Sequence, residues 1–163
     1  MNKATLAALF TLVPALAWAQ GDHGHHNTGS DPAAQGYAAA NARRLGLESR
    51  ARLQLGDWAE GIGERFDLIL CNPPYVASGA ELGPGVGEFE PPEALFAGER
   101  GLDAFERLAP QLPRLLASGG LAAVEIGHDQ AKEAAAILER DGLGARVAHD
   151  FADRPRALLL TWI

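Results

Sequence analysis

The stretch Phe66-Asp67-Leu68-Ile69-Leu70-Cys71-Asn72-Pro73-Pro74-Tyr75 decides the fold. Its first six residues form a mostly apolar run, bounded by charge on one side and prolines on the other. A strand inside a parallel sheet has that composition, because helices cover both faces. Downstream, Ser118-Gly119-Gly120 turns the chain into a second run of the same kind, Leu121 to Ile126. Ala145–Ala148 and Ala157–Trp162 read as two closing strands. Helical sequence lies between them. Leu102–Ala117 is expected to bend near Pro110 and Pro113, and Asp129–Arg140 is amphipathic and stops at Gly142. Upstream, Asp31-Pro32 opens an Ala-rich helix that reaches Leu45 and ends at Gly46. Arg52–Leu55 alternates as a short strand, and Gly56-Asp57-Trp58 turns the chain. Residues 76–100, rich in Gly and Pro, read as one long loop, a kind usually functional or mobile. Strands alternating with helices predict an α/β fold with a largely parallel sheet.

Composition narrows the function classes. The chain has 163 residues, 47% hydrophobic and 21% charged, which fits one globular core and excludes a disordered chain. Net charge is −7, which argues against an ordinary basic surface for duplex nucleic acid. One cysteine, Cys71, rules out an internal disulfide and a Cys-built zinc site.

The N-terminus reads differently from the rest. In residues 1–19 a short positive start at Lys3 precedes an apolar run, and Ala17-Trp18-Ala19 has the small-x-small form of a cleavage site. That is a secretory signal pattern; a buried or frayed N-terminal helix is the plain structural alternative. Residues 20–30 form a His/Gly-rich linker. Its His23, His25 and His26 either hold a metal loosely or are simply solvated.

The chemistry-bearing motif is Asn72-Pro73-Pro74-Tyr75. Ligands in open α/β sheets bind beyond the carboxyl ends of strands, and the tetrapeptide follows such an end directly. Two prolines fix φ and remove two backbone donors, so the carbonyls there are left to accept from something else. Asn72 precedes proline and is pushed out of the helical region. Its side-chain carbonyl is a further acceptor on a stiff peptide, and Tyr75 adds a flat face with a polar tip. Such a corner suits a planar –NH2 group, held by its two N–H bonds so that nitrogen faces an electrophile. A proline-rigid turn with no ligand remains the structural reading of the four letters alone.

Residues 31–163 resemble the C-terminal two-thirds of the catalytic domain of the release factor glutamine N5-methyltransferases, which are class I S-adenosylmethionine-dependent methyltransferases. The resemblance runs through Gly56-Asp57-Trp58, Asp67 to Val76, Glu90-Pro91 with Ala94-Leu95, and Gly101-Leu102. It continues through Gly119-Gly120-Leu121, Glu125-Ile126-Gly127 with Gln130, and Asp150 with Arg154. It implies a partial Rossmann-like class I methyltransferase sheet, mostly parallel with a C-terminal antiparallel strand, whose first two strands are missing. The family order is 3-2-1-4-5-7-6. It implies methylation of the glutamine amide in the Gly-Gly-Gln motif of peptide chain release factors, in the cytoplasm, without stable nucleic acid binding or a membrane span. Asn72 and the Pro73 carbonyl would accept from the amide, with Pro74 and Tyr75 shaping the slot. Trp58 and Asp57 would meet the adenine end of S-adenosylmethionine, with Asn72 beside its methyl group. The structural alternatives are a core-rim aromatic for Trp58, where cofactor contact is favoured, and, favoured for residues taken alone, a turn residue for Asp57, a structural hydrogen-bonding residue for Glu125 and a loop anchor for Glu90.

The resemblance also has gaps. The glycine-rich cofactor loop is not found, and Gly29 stands where the family has an acidic residue for the ribose. The family's helical N-terminal domain has no counterpart. Weak cofactor affinity and impaired activity are therefore expected. Without its usual neighbour, the Phe66–Cys71 strand should be an exposed edge, or pair directly with Arg52–Leu55. Two other functions fit parts of the sequence: adenine N6 amino-methylation of nucleic acid, and an inactive exported fragment with a His-rich metal-binding tail.

Overall fold

The computed structural model describes residues 6–9, 32–46, 48–49, 53, 57–82 and 92–163. Among the described residues the elements are, in chain order, β1 (Leu6–Leu9), α1 (Pro32–Arg44), β2 (Phe66–Cys71), α2 (Pro92–Leu95), α3 (Asp103–Leu108), α4 (Leu112–Leu115), β3 (Leu116–Glu125), α5 (Ala131–Leu138), β4 (Leu143–His149) and β5 (Pro155–Trp162). The strands form one sheet in the order β1-β2-β3-β5-β4. β1 pairs with β2 and β2 with β3 in parallel, whereas β5 runs antiparallel to both β3 and β4. The last strand thus inserts between two earlier ones.

The core follows from side-chain alternation. In β3, Ala122 and Val124 are fully buried while Ala123 and Glu125 between and after them are not. Leu158 and Leu160 repeat the pattern in β5. These residues share one cluster with Phe105, Leu108, Leu112 and Leu115 of the α3–α4 segment and with Ile69 of β2. Each of the Val, Leu, Ile and Phe side chains contributes about 1.5–3 kcal/mol by leaving water. β2 is not sealed on both faces as its composition suggests, since Leu70 keeps 38% exposure.

Three boundaries depart from the sequence reading. The expected helix Leu102–Ala117 breaks into α3 and α4 around Pro110, which has no N–H to continue the ladder. The chain turns there on the Gln111 N–H, which donates to the Leu108 carbonyl at 2.9 Å. β3 already starts at Leu116, and its pairing with β2 jumps from Phe66↔Leu116 to Leu68↔Leu121, so the Ser118-Gly119-Gly120 turn is a bulge within a strand. The long loop over 76–100 is pinned at both ends. Val76 bridges Phe96 in parallel, and α2 precedes that bridge.

The exposed-edge expectation for β2 is corrected. Its neighbours are β1 and β3, with Leu6↔Leu68 and Leu9↔Cys71 in register. The strand beside it comes from the leader-like apolar run, because a parallel strand and a leader need the same apolar composition. The expected strand at Arg52–Leu55, apart from Leu53, lies outside the described residues, as do Asp31, Glu90, Gly29, His23, His25 and His26.

Candidate active site

β2 delivers the Asn-Pro-Pro-Tyr corner to the carboxyl end of the parallel strands. Cys71, its last residue, pairs with Val124 on one side and Leu9 on the other. Pro73 and Pro74 are buried, while Asn72 and Tyr75 are half-buried. The stiff part of the corner is thus embedded, and the two polar side chains that flank it still reach the surface. Past Tyr75, the Val76 N–H donates to the Leu95 carbonyl at 2.8 Å, and the Val76 carbonyl accepts from Ala97 N–H at 2.9 Å.

Tyr75 is tied to the neighbouring strand. Its hydroxyl donates to Glu125 Oε1 at 3.0 Å, at the end of β3. Burial, and then the adjacent Glu125 carboxylate, push the phenol above its usual range, against an opposing pull from Arg156. Arg156 lies in β5 and pairs with Asp150 at 3.4 Å. Asp150 shapes the β4–β5 turn by accepting from Ala152 N–H at 2.8 Å and Arg154 N–H at 3.1 Å. The Arg154 amide foremost, with Ala152 and Arg156, holds its carboxyl below the usual range.

The Tyr75 backbone is held from α5. Gln130 Nε2 donates to the Tyr75 carbonyl at 2.9 Å and to those of Gly101 and Arg100 at 3.2 and 3.3 Å. Its Oε1 accepts from Gly127 N–H at 3.0 Å. Gly101 has φ +70°, and a Cβ on it would fall 2.3 Å from the Tyr75 carbonyl oxygen. Only glycine fits between that carbonyl and the amide of Gln130.

Asp57 and Trp58 are positioned from the α3–α4 side. Asp57 Oδ2 pairs with Arg107. Ala59 N–H donates to Gln111 Oε1 at 3.0 Å, and Arg114 donates to the Ala59 carbonyl at 3.4 Å. Residues 107, 111 and 114 line up at helical spacing across the break. Trp58 takes a positive φ of 56° and packs half-buried against the core cluster that Tyr75 also touches. The structure thus unites Asn72 to Tyr75 with Glu125 and Gln130, and anchors Asp57 and Trp58 separately. Sequence reasoning missed the Arg107, Gln111 and Arg114 clamp. It also missed Arg156 at Tyr75; a carboxylate ending an apolar strand was the available signal for a partner there. Cys71 is a buried thiol, pushed up to about 12 by burial. Among the described residues, no His/Cys/Asp/Glu group is arranged to hold a metal, and no helix is long and apolar enough to cross a membrane.

A parallel sheet with an antiparallel final strand inserted second from its edge, and a polar corner at its carboxyl end, defines a Rossmann-like class I methyltransferase fold. The ribosomal protein L11 methylase of Lactobacillus delbrueckii subsp. bulgaricus superposes with a TM-score of 0.56 at 16% identity, over 81% of this chain and 54% of that one. TrmN from Thermus thermophilus gives 0.54 at 21% identity, over 82% of this chain and 34% of that one. No family model matches the sequence. Relatives found by sequence are more specific. A release factor glutamine methyltransferase of Rhodospirillum rubrum is 46% identical over 131 residues, 78% of this chain and 40% of the relative. Its counterparts from Cereibacter sphaeroides and Caulobacter vibrioides are 46% and 40% identical, over 74% and 80% of this chain and 44% and 47% of theirs. Over the matched residues the chain is similar to the release factor glutamine methyltransferases. It spans less than half the length of these relatives.

Proposed function

We propose that this chain carries the amide-binding half of a protein-(glutamine-N5) methyltransferase and acts on the glutamine of the Gly-Gly-Gln motif in peptide chain release factors. The observation that carries the reading is the corner at 72–75: acceptors on a proline-stiffened peptide, at the carboxyl end of β2, with Tyr75 fixed beside them.

Asn72 Oδ1 and the Pro73 carbonyl would accept the two N–H bonds of the carboxamide. Pro74 and the Tyr75 ring would close the slot. An amide nitrogen is a weak nucleophile because its lone pair is delocalised into the carbonyl. Two acceptors pull density toward nitrogen and hold it at a fixed angle, so positioning and polarisation supply the catalysis. The nitrogen would gain a carbon as the donor leaves as a neutral thioether, and the proton released would pass to solvent, since the two amide carbonyls orient the N–H bonds and are too weakly basic to keep it.

S-adenosylmethionine, when bound, supplies an electrophilic methyl group. The residues present fit its adenine end: Trp58 offers a half-buried indole face, and Asp57, which holds Arg107 through Oδ2, would accept from an exocyclic amine through Oδ1. Asn72 would lie nearest the reacting carbon. We place the protein in the cytoplasm, where release factors work. The −7 charge weighs against adenine in nucleic acid as the target.

Methylation assays on a release factor and on DNA test the proposal. The expected result is transfer to the release factor glutamine only, with Asn72→Ala lowering the rate about 10²–10³-fold. Undiminished transfer by that variant, or transfer to DNA instead, would refute it.

A further inference from the structure

Tyr75 is held at both ends by residues to which the amide-slot reading gives no role. We propose that Glu125 and Gln130 are positioning residues for the carboxamide slot: Glu125 fixes the Tyr75 ring through its hydroxyl, and Gln130 fixes the Tyr75 backbone through its carbonyl. This rests on the reading of residues 72–75 as the substrate corner.

The geometry makes a two-point clamp. The prolines stiffen the chain up to Tyr75 and not beyond it. After Tyr75 the path is held by the Val76 bonds to Leu95 and Ala97 and, at the Tyr75 carbonyl itself, by Gln130, whose amide is oriented by the Gly127 N–H on Oε1. Its Nε2 then serves three carbonyls, drawing residues 75, 100 and 101 to one point. Gly101 leaves room for that convergence. The ring could still turn about its χ angles. Glu125 removes that freedom from a strand fixed on both sides, with Val124 against Cys71 and Glu125 against Ala157. A ring that flanks the slot for only part of the time lowers apparent substrate affinity by that fraction. Holding it permanently removes the loss. The charged groups facing the hydroxyl are Glu125 and, from β5, Arg156, which Asp150 engages in turn.

The test uses the full chain with a release factor substrate and, in parallel, ¹³Cζ-tyrosine NMR in a Tyr37→Phe background, which leaves Tyr75 as the labelled phenol. Glu125→Ala should lower kcat/KM for the release factor about tenfold, the worth of one charge-assisted hydrogen bond. Glu125→Gln keeps an acceptor oxygen and should restore most of it. In the double variant Tyr75→Phe/Glu125→Ala the second change should add little, because both remove the same bond. Glu125→Gln should also move the Tyr75 phenol titration downward, since it deletes the negative charge beside the hydroxyl. Gln130→Leu should reduce kcat/KM with KM for S-adenosylmethionine unchanged. A phenol unmoved by Glu125→Gln, or fully additive kinetic losses, would overturn the clamp. A parent chain that methylates DNA and not the release factor would overturn the substrate reading instead, and the phenol titration would still decide whether Glu125 holds the ring.

Discussion

Replacing Gly101 by alanine tests how tightly the site is assembled. Gly101 sits at φ +70°, and its added Cβ would lie 2.3 Å from the Tyr75 carbonyl, 2.8 Å from Gln130 Nε2 and 3.0 Å from Ala77 N. Two of those neighbours are backbone and cannot swing away. The left-handed conformation costs a non-glycine residue about 1–2 kcal/mol. Displacing Gln130 forfeits its bonds to the carbonyls, about 0.5–1.5 kcal/mol each. Reduced freedom of the unfolded chain returns about 0.4–1 kcal/mol. The net loss should be about 3 kcal/mol. Two other glycines separate the causes. Gly79 has φ +88° with nothing within 4 Å of its Cβ, so Gly79→Ala should cost about 1 kcal/mol from conformation alone. Gly63 has neither strain nor neighbour, so Gly63→Ala should be neutral or slightly stabilising. Urea unfolding followed by circular dichroism reads all three. With a slope of about 2 kcal/mol/M, Gly101→Ala lowers the midpoint by about 1.5 M. Equal midpoints for Gly101→Ala and Gly79→Ala would show that the convergence on Tyr75 is not tight.

Two further outcomes are expected. Gln111→Ala strands the N–H of fully buried Ala59 and should cost about 1–2 kcal/mol, whereas Arg107→Ala breaks a half-exposed ion pair and should cost under about 1 kcal/mol; thermal melts that rank them the other way would contradict the clamp on residues 57–62. The Cys71 thiol, raised from 9.0 to about 12 by burial, should resist alkylation at neutral pH until urea opens the fold, and its contribution to stability should fade as pH climbs through that window, because only the unfolded chain readily releases the proton. Rapid stoichiometric labelling of the native chain would contradict its placement.

Much of the fold was legible in local sequence. The apolar run at 66–71 and the prolines behind it announced a strand with a rigid acceptor corner at its end, because covalent geometry alone dictates what Pro73 and Pro74 do. The two closing strands were legible in their apolar patterning, whereas the turn expected at Ser118-Gly119-Gly120 is a bulge inside β3, because only the partner strand decides where pairing resumes. β1 was not legible. Leu6–Leu9 has an apolar composition that a leader, a helix or a parallel strand could all use, and the choice depends on a partner far along the chain. The contacts that assemble the site were hidden likewise. Gln130 reaches Tyr75 across 55 positions, and Arg107 reaches Asp57 across 50. Glu125 was half legible: a carboxylate ending a buried strand must find a donor, but only the folded sheet identifies Tyr75.

The pairing of β1 with β2 also sets an order of events during synthesis. Leu6 leaves the ribosome well before Leu68, its partner in the sheet. At about 5–20 residues per second, several seconds pass with an apolar segment made and nothing for it to join. The nascent chain must be shielded during that wait, so its yield in a cell should depend on chaperone supply more steeply than the stability of the finished sheet would suggest.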